Sequence, residues 1–259
     1  MPTITAVILT KDEANHIVHC IESLSGWVDS IVVFDSYSHD DTCLLARQAG
    51  AMIIQHPWEN FASQRQAALN AIESEWILFI DADERATVEF AYEVRKLVDN
   101  DQVRSGIVPL AGYWLPRRNF IIGKELRHGG YYPDYQLRLL RRGHARYDPR
   151  RQVHETVLLD GNSAFISQPI LHYNYDSWKQ FHQKQRFYAE YEAQILAARG
   201  IRPRPHNFVL QPLREFRRRY ISLMGWKDGW RGLQLAVLYA WYYGIVPYWI
   251  LTKERKVTP

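Results

Sequence analysis

Three short polar clusters carry residue types able to do chemistry, and each closes an apolar run. Thr10, Lys11, Asp12 and Glu13 end ITAVILT (4–10), Asp35 and Ser36 open FDSYSHDDT, and Asp81, Ala82, Asp83 and Glu84 follow WILFI (76–80). The D-A-D of Asp81 and Asp83 offers paired carboxylates. In an extended segment residues i and i+2 point the same way, so both would project into one place, where a divalent cation relieves their repulsion. Oxygen ligands suit Mg2+ or Mn2+, which keep open positions for substrate phosphates. A turn or helix cap explains any one cluster, since Asp and Ser are common in both. Three acidic clusters at three strand ends on one edge point to a ligand site.

The elements that must position them alternate along the first hundred residues. ITAVILT, SIVVF (30–34), AMIIQ (51–55) and WILFI have the continuous apolar, β-branched character of strands buried on both faces. Helical patterns occupy 14–24, 41–49, 62–73 and 87–98. The alternation predicts an α/β fold with a mostly parallel, Rossmann-like sheet, and ligands bind outside the carboxyl ends of such strands. After residue 100, strands are expected at 106–116, 136–142 and 152–160, with a long, partly ordered loop over 117–135. A long helix over 177–198 ends at RGIRPRP (199–205), because proline cannot continue it. That turn divides the chain into an expected catalytic domain, 1–205, and a helical extension, 206–259.

Composition and absences narrow the classes. The 259 residues are 47% hydrophobic and 23% charged, ordinary globular values that exclude a disordered or collagen-like chain. Cys20 and Cys43 give no disulfide framework and no zinc pattern, which favours a reducing compartment. The opening MPTITAVILTKDE has no basic leader and a short apolar run, so a strand is expected there and not an export signal. Residues 1–100 hold only Gly26 and Gly50, so neither a G-x-G-x-x-G nor a P-loop is present, and a dinucleotide-binding enzyme or P-loop NTPase is not supported.

The net charge of +4 conceals 6 Lys/Arg against 16 Asp/Glu in residues 1–100 and 26 against 12 in the remainder. A basic second half suits phosphates, nucleic acid or an acidic membrane, with plain solvated charge as the alternative. In the tail, 211–231 mixes basic and aromatic residues, and the nearly uncharged 233–251 contains six aromatics in 19 residues. That approaches spanning length, but Gln234, Pro247 and the Tyr and Trp density favour the membrane interface. Packing on the catalytic domain or dimerisation is the alternative.

In order along residues 3–100, AVILTKDEA, FDSYSHDDT, SQRQAALN and WILFIDADE resemble the motifs of the family 2 inverting glycosyltransferases, which have the A-type nucleotide-sugar fold. PRRNFIIGKELRHGGYYPDYQLRLLRRG, VHE and ILHY extend the resemblance to about residue 250, toward the lipopolysaccharide-core β-glucosyltransferases and related polysaccharide glycosyltransferases. Tyr37 stands where that family usually has glycine.

The resemblance implies metal-dependent transfer of a hexose, glucose or a relative, from a nucleoside-diphosphate sugar, most simply UDP-linked. The acceptor would be a hydroxyl of a cell-envelope polysaccharide or lipid-linked glycan, reached from the cytoplasmic face of the plasma membrane. By that analogy Thr10, Lys11, Glu13, Asp35 and Ser36 hold base and ribose, and Arg65 lies near base and phosphates. Asp83 is the direct metal ligand, Asp81 binds ribose or the metal, and His154 is a third metal or pyrophosphate contact, with His172 second for that role. Arg117 and Arg118, with His128, are candidates to clamp phosphates. An inverting transfer needs a general base. By the same resemblance Asp134, in the place of the family's catalytic acidic residue, is the candidate, with Glu155 behind it. A nucleotidyltransferase shares the acidic metal site but usually carries a glycine-rich loop near the first strand, which is absent here. A nucleic-acid-binding protein would explain the basic half, yet no motif for one is present.

Overall fold

The four parallel strands owe their unbroken apolar runs to helices on both faces. In β1 (Ile4–Thr10), Ile4, Ala6 and Ile8 face one core and Val7 the other. The first core is completed by α1 (Ile17–Leu24), β2 (Ser30–Asp35) and Ala46 of α2 (Thr42–Gln48). After β3 (Met52–Gln55), α3 (Phe61–Ala71) covers the second face with Ala62, Ala68 and Leu69. β4 (Trp76–Asp81) divides its residues likewise, Trp76, Leu78 and Ile80 against Ile77 and Phe79. Beyond the short β5 (Glu84–Arg85), α4 (Val88–Asp101) adds Phe90, Val94 and Val98 to the first core. The computed structural model describes residues 1–101, 110–148 and 157–257.

The second half brings antiparallel strands. β6 (Leu110–Ile121), β7 (Lys124–Leu126) and β8 (Asp134–Arg141) occupy most of the stretch expected to be a long loop. β6 turns back at Ile122 and Gly123, with φ of 50° and 73°, and pairs as Ile121↔Lys124. Positive φ at both central residues is the two-residue hairpin geometry that matches strand twist. β9 (Ala145–Tyr147) and β10 (Val157–Leu159) form a separate ribbon, followed by β11 (Asn162–Phe165) and β12 (Ile170–Tyr175). The main sheet runs β3-β2-β1-β4-β8-β6-β12-β5, with β3 to β4 parallel and β8 antiparallel to both of its neighbours. The expected α/β class with its parallel sheet is therefore present, extended by an antiparallel half.

The chain forms two compact units, 1–117 with 134–172, and 118–133 with 173–259. The second contains α5 (Trp178–Ala198), α6 (Asn207–Phe216), a π-helical turn (Arg217–Ser222), α7 (Gly229–Gly244) and α8 (Val246–Val257). Its core joins Ile121, Leu126, Tyr175 and Phe181 to Leu235 and Tyr239 of α7, and α5 meets α8 through Leu196, Tyr248 and Leu251. The helical tail thus shares one core with α5 and the β6–β7 hairpin.

Candidate active site

The chain goes from β1 outward to β2 and β3, then returns to the other side of β1 as β4. Such a switch opens a crevice at the strands' carboxyl ends. The register brings Thr10 level with Asp35, and Leu9 level with Asp81. Asp35 is fully buried and accepts from Thr10 Oγ1 at 3.1 Å and from Ser38 N at 2.9 Å. Burial opposes its charge, but the hydrogen bonds from Ser38, Cys43 and Thr10 outweigh burial and hold its pKa below the usual value.

The loops after β1 and β2 are laced together. Asp12 N donates to Ser38 Oγ at 2.9 Å, His39 N donates to Asp12 Oδ1 at 2.7 Å, and Glu13 N donates to Thr42 Oγ1 at 2.8 Å. Lys11 Nζ donates to the Tyr37 carbonyl. Tyr37 has φ of 57°, so it adopts the left-handed backbone that glycine takes without strain. Ser36 accepts from Gln64 Nε2 at 2.6 Å, next to Arg65 on α3.

Three arginines converge on the carboxylates after β4. Arg138 binds Asp81 through both nitrogens, at 3.1 and 2.8 Å, and Arg65 reaches it at 3.4 Å from a position over the Phe79 ring. Burial would raise the Asp81 pKa, but Arg138, then Arg65 and Arg117, hold it well below the carboxylate range. Glu84 is fully buried, accepts Asp81 N at 2.8 Å and takes Arg117 Nη1 at 3.2 Å. Burial and the nearby Asp81 charge push its pKa up, against Arg138 and Arg117. Arg117 also grips Asp134, Nε–Oδ2 2.8 Å and Nη2–Oδ2 2.6 Å, while Gln136 Nε2 donates to the other oxygen at 2.9 Å.

The Glu84 contact folds residues 82–83 into a turn. The expected extended D-A-D is therefore corrected: alternation ends with β4, and the two carboxylates take different partners. Asp83 Oδ2 lies 3.5 Å from His172 Nε2, and His172 sits opposite Glu84 in the β12–β5 pair. A carboxylate oxygen and an imidazole nitrogen suit Mn2+ better than an arginine-bound Asp81 does, so Asp83 with His172 is the fitting donor pair. No cluster of three metal-binding side chains occurs among the described residues. His154 and Glu155 lie outside the described residues.

Arg117 and Arg118 do not form a joint clamp, because neighbouring strand residues alternate in direction. Arg118 pairs with Glu125 at 2.9 and 2.7 Å, and His128 Nδ1 meets Asp228 Oδ1 at 3.0 Å. Gln136 and Arg138 were not singled out from sequence, and Glu84 was named only as part of the cluster after WILFI. The signal for the first two was Asp134, Gln136 and Arg138 at alternate positions of one strand. Arg65, Gln136, Arg138, Trp114 and Tyr147 line a cavity of about 260 Å3.

Residues 5–170 match the model of Glycosyl transferase family 2, about two thirds of the chain. The chain belongs to glycosyltransferase family 2. Its α/β fold is the A-type fold that this family implies. The family 2 assignment favours glycosyl transfer over nucleotidyl transfer or nucleic-acid binding. The lipopolysaccharide core biosynthesis glycosyltransferase LpsC of Rhizobium meliloti (strain 1021) is 31% identical over 253 residues, 92% of this chain and 88% of that one. A crystal structure of glucosyl-3-phosphoglycerate synthase from Mycobacterium tuberculosis with Mn2+, UDP and glucosyl-3-phosphoglycerate aligns at TM-score 0.46 and 18% identity. It covers 77% of this chain and 81% of that one. Another crystal structure of that synthase aligns at TM-score 0.36 and 22% identity, over 46% of this chain and less than half, 45%, of its own length.

Proposed function

We propose that this family 2 enzyme transfers a hexose, glucose or a close relative, from a UDP-linked donor to a hydroxyl of a growing cell-envelope glycan, with inversion at the anomeric carbon. The observation that carries this reading is the convergence of Arg65, Arg117 and Arg138 on Asp81, Glu84 and Asp134, beside Asp83 and His172. The likeness to a lipopolysaccharide core transferase supports an envelope glycan as acceptor.

In this reading the interlaced Thr10–Glu13 and Ser36–Ser38 loops frame base and ribose, and Asp35, buried beneath them, acts through the loop by holding Thr10 and Ser38 in place instead of meeting the base itself. Asp83 and His172, with His154, would hold Mg2+ or Mn2+, and a cation held there would supply charge neutralisation for the diphosphate leaving group. Arg65 and Arg138 keep Asp81 ionised and oriented toward the ribose. Asp134 takes the proton of the acceptor hydroxyl as its oxygen attacks the anomeric carbon, and the nucleoside diphosphate leaves with the bonding pair. Arg117, fixed by Glu84, sets the direction of the Asp134 carboxylate. The lipid-linked or lipopolysaccharide acceptor lies at the inner, anionic face of the plasma membrane, where a cytoplasmic enzyme meets it.

Calorimetry of UDP tests the metal step. Affinity in Mn2+ is expected to exceed that in EDTA by about tenfold or more, about 1.4 kcal/mol. Asp83→Ala abolishes that difference while retaining the EDTA value. Equal affinity in both buffers for the native enzyme overturns the metal assignment.

A further inference from the structure

We propose that the outer face of α7 and α8 docks on an anionic lipid bilayer, lying in the interface plane and not crossing it. This rests on the reading above only for the lipid-borne acceptor. Trp230, Val237 and Trp241 recur at helical spacing along α7, Trp226 precedes them on the 3-10 turn Gly225–Asp228 and Trp249 follows on α8, and each is 51–76% exposed. Leu213 and Ile221, of α6 and the π-helical turn, are 61% and 58% exposed in a stretch that also carries the exposed Arg214 and Arg217. Soluble proteins bury most such side chains or use them for contact.

The opposite face of α7 is already occupied. Gly232, Leu235, Ala236, Tyr239 and Ala240 are buried, and a Cβ on Gly244 would meet the Pro212 backbone at 2.5 Å. Residues 225–253 are long and apolar enough to cross a membrane by composition, but 44% of the apolar window is buried within the protein. Crossing would strip Leu235 and Tyr239 from the core around Phe181. One face in protein and one in lipid leaves an in-plane helix pair.

Chemistry selects lipid over a second copy of the chain. Residues 206–259 hold nine Lys/Arg against three Asp/Glu, so the tail carries a net positive charge that opposes pairing of two copies and favours an anionic surface. Tryptophan prefers the headgroup level, where its ring is apolar and its N–H stays wet. Cations stand at that level too: Lys253 Nζ lies 3.8 Å from the Trp249 ring centre and Lys227 Nζ 5.6 Å from that of Trp226. Apolar insertion plus Lys and Arg beside anionic headgroups is the pattern of interfacial binding.

The test is flotation of the full chain with vesicles of phosphatidylcholine alone or mixed with phosphatidylglycerol. Deleting 206–259 would unfold the shared core, so the variant is Trp226→Ser, Trp230→Ser, Trp241→Ser and Trp249→Ser combined, all at exposed positions. The native protein is expected to prefer phosphatidylglycerol vesicles, and the variant to bind them about a hundredfold more weakly or worse. Native tryptophan fluorescence should be quenched by lipids brominated near the headgroup and not by those brominated near the chain end, and alkaline carbonate should release the protein. Equal binding to neutral vesicles, deep quenching or resistance to carbonate overturns the proposal. So does a solution dimer that the variant splits while neither protein binds vesicles. UDP affinity, measured on both proteins, reports separately on the transferase reading and should be the same in each.

Discussion

Asp134→Asn is expected to lower sugar transfer by on the order of 10²–10⁴ while UDP affinity in Mn2+ stays near the native value. Asparagine matches the aspartate in size, and its carbonyl can still accept from Arg117. It cannot take a proton from the acceptor hydroxyl. The local cost is small: one amide must turn its NH2 toward Gln136, which can rotate its own amide to accept. Asp134 is 26% exposed in its side chain, so an acceptor can reach it, whereas the fully buried Glu84 behind Arg117 cannot serve. Product formation, UDP binding and thermal unfolding on the same preparation separate the outcomes. Retained activity moves the base elsewhere, with Glu155 next. Loss of UDP binding as well makes Asp134 part of the nucleotide or metal site.

What could be read from the sequence divides at residue 100. β1, β2 and β4 were visible because burial on both faces demands unbroken apolar runs, and the polar residues at their ends then had one edge to occupy. The β6–β7 hairpin was not, because Ile122 and Gly123 adopt a turn geometry usually signalled by Asn-Gly. β5 is two residues long, too short for any periodicity, yet it holds Glu84 opposite His172. The D-A-D was seen and its geometry misjudged, since the turn depends on a Glu84 side chain that a strand pattern does not report. Arg138 looked like one more basic residue of a basic strand. Its role comes from Asp81, 57 positions away, and ion pairs at that distance leave no local pattern.

That pair gives the second large effect. Arg138→Met is expected to destabilise the folded enzyme by about 3 kcal/mol, the low end for breaking a buried ion pair. Arg138 is only 9% exposed in its side chain and donates both nitrogens to Asp81, so methionine fills the space but leaves the carboxylate short of its main partner. The loss stays at the low end because Arg65 remains at 3.4 Å and Asp81 is 30% exposed. Urea unfolding of Arg138→Met, Asp81→Asn and the double variant isolates the interaction. If the charge pair is responsible, Arg138→Met costs much less in the Asp81→Asn background, with a coupling of about 1–3 kcal/mol. Additive losses would assign the effect to lost packing of the side chain and not to the charge pair. Arg138→Lys should recover little, because a single ammonium cannot reproduce the planar fork that meets both carboxylate oxygens. Full recovery with lysine would mean that charge alone, and not the fork, holds Asp81 in place.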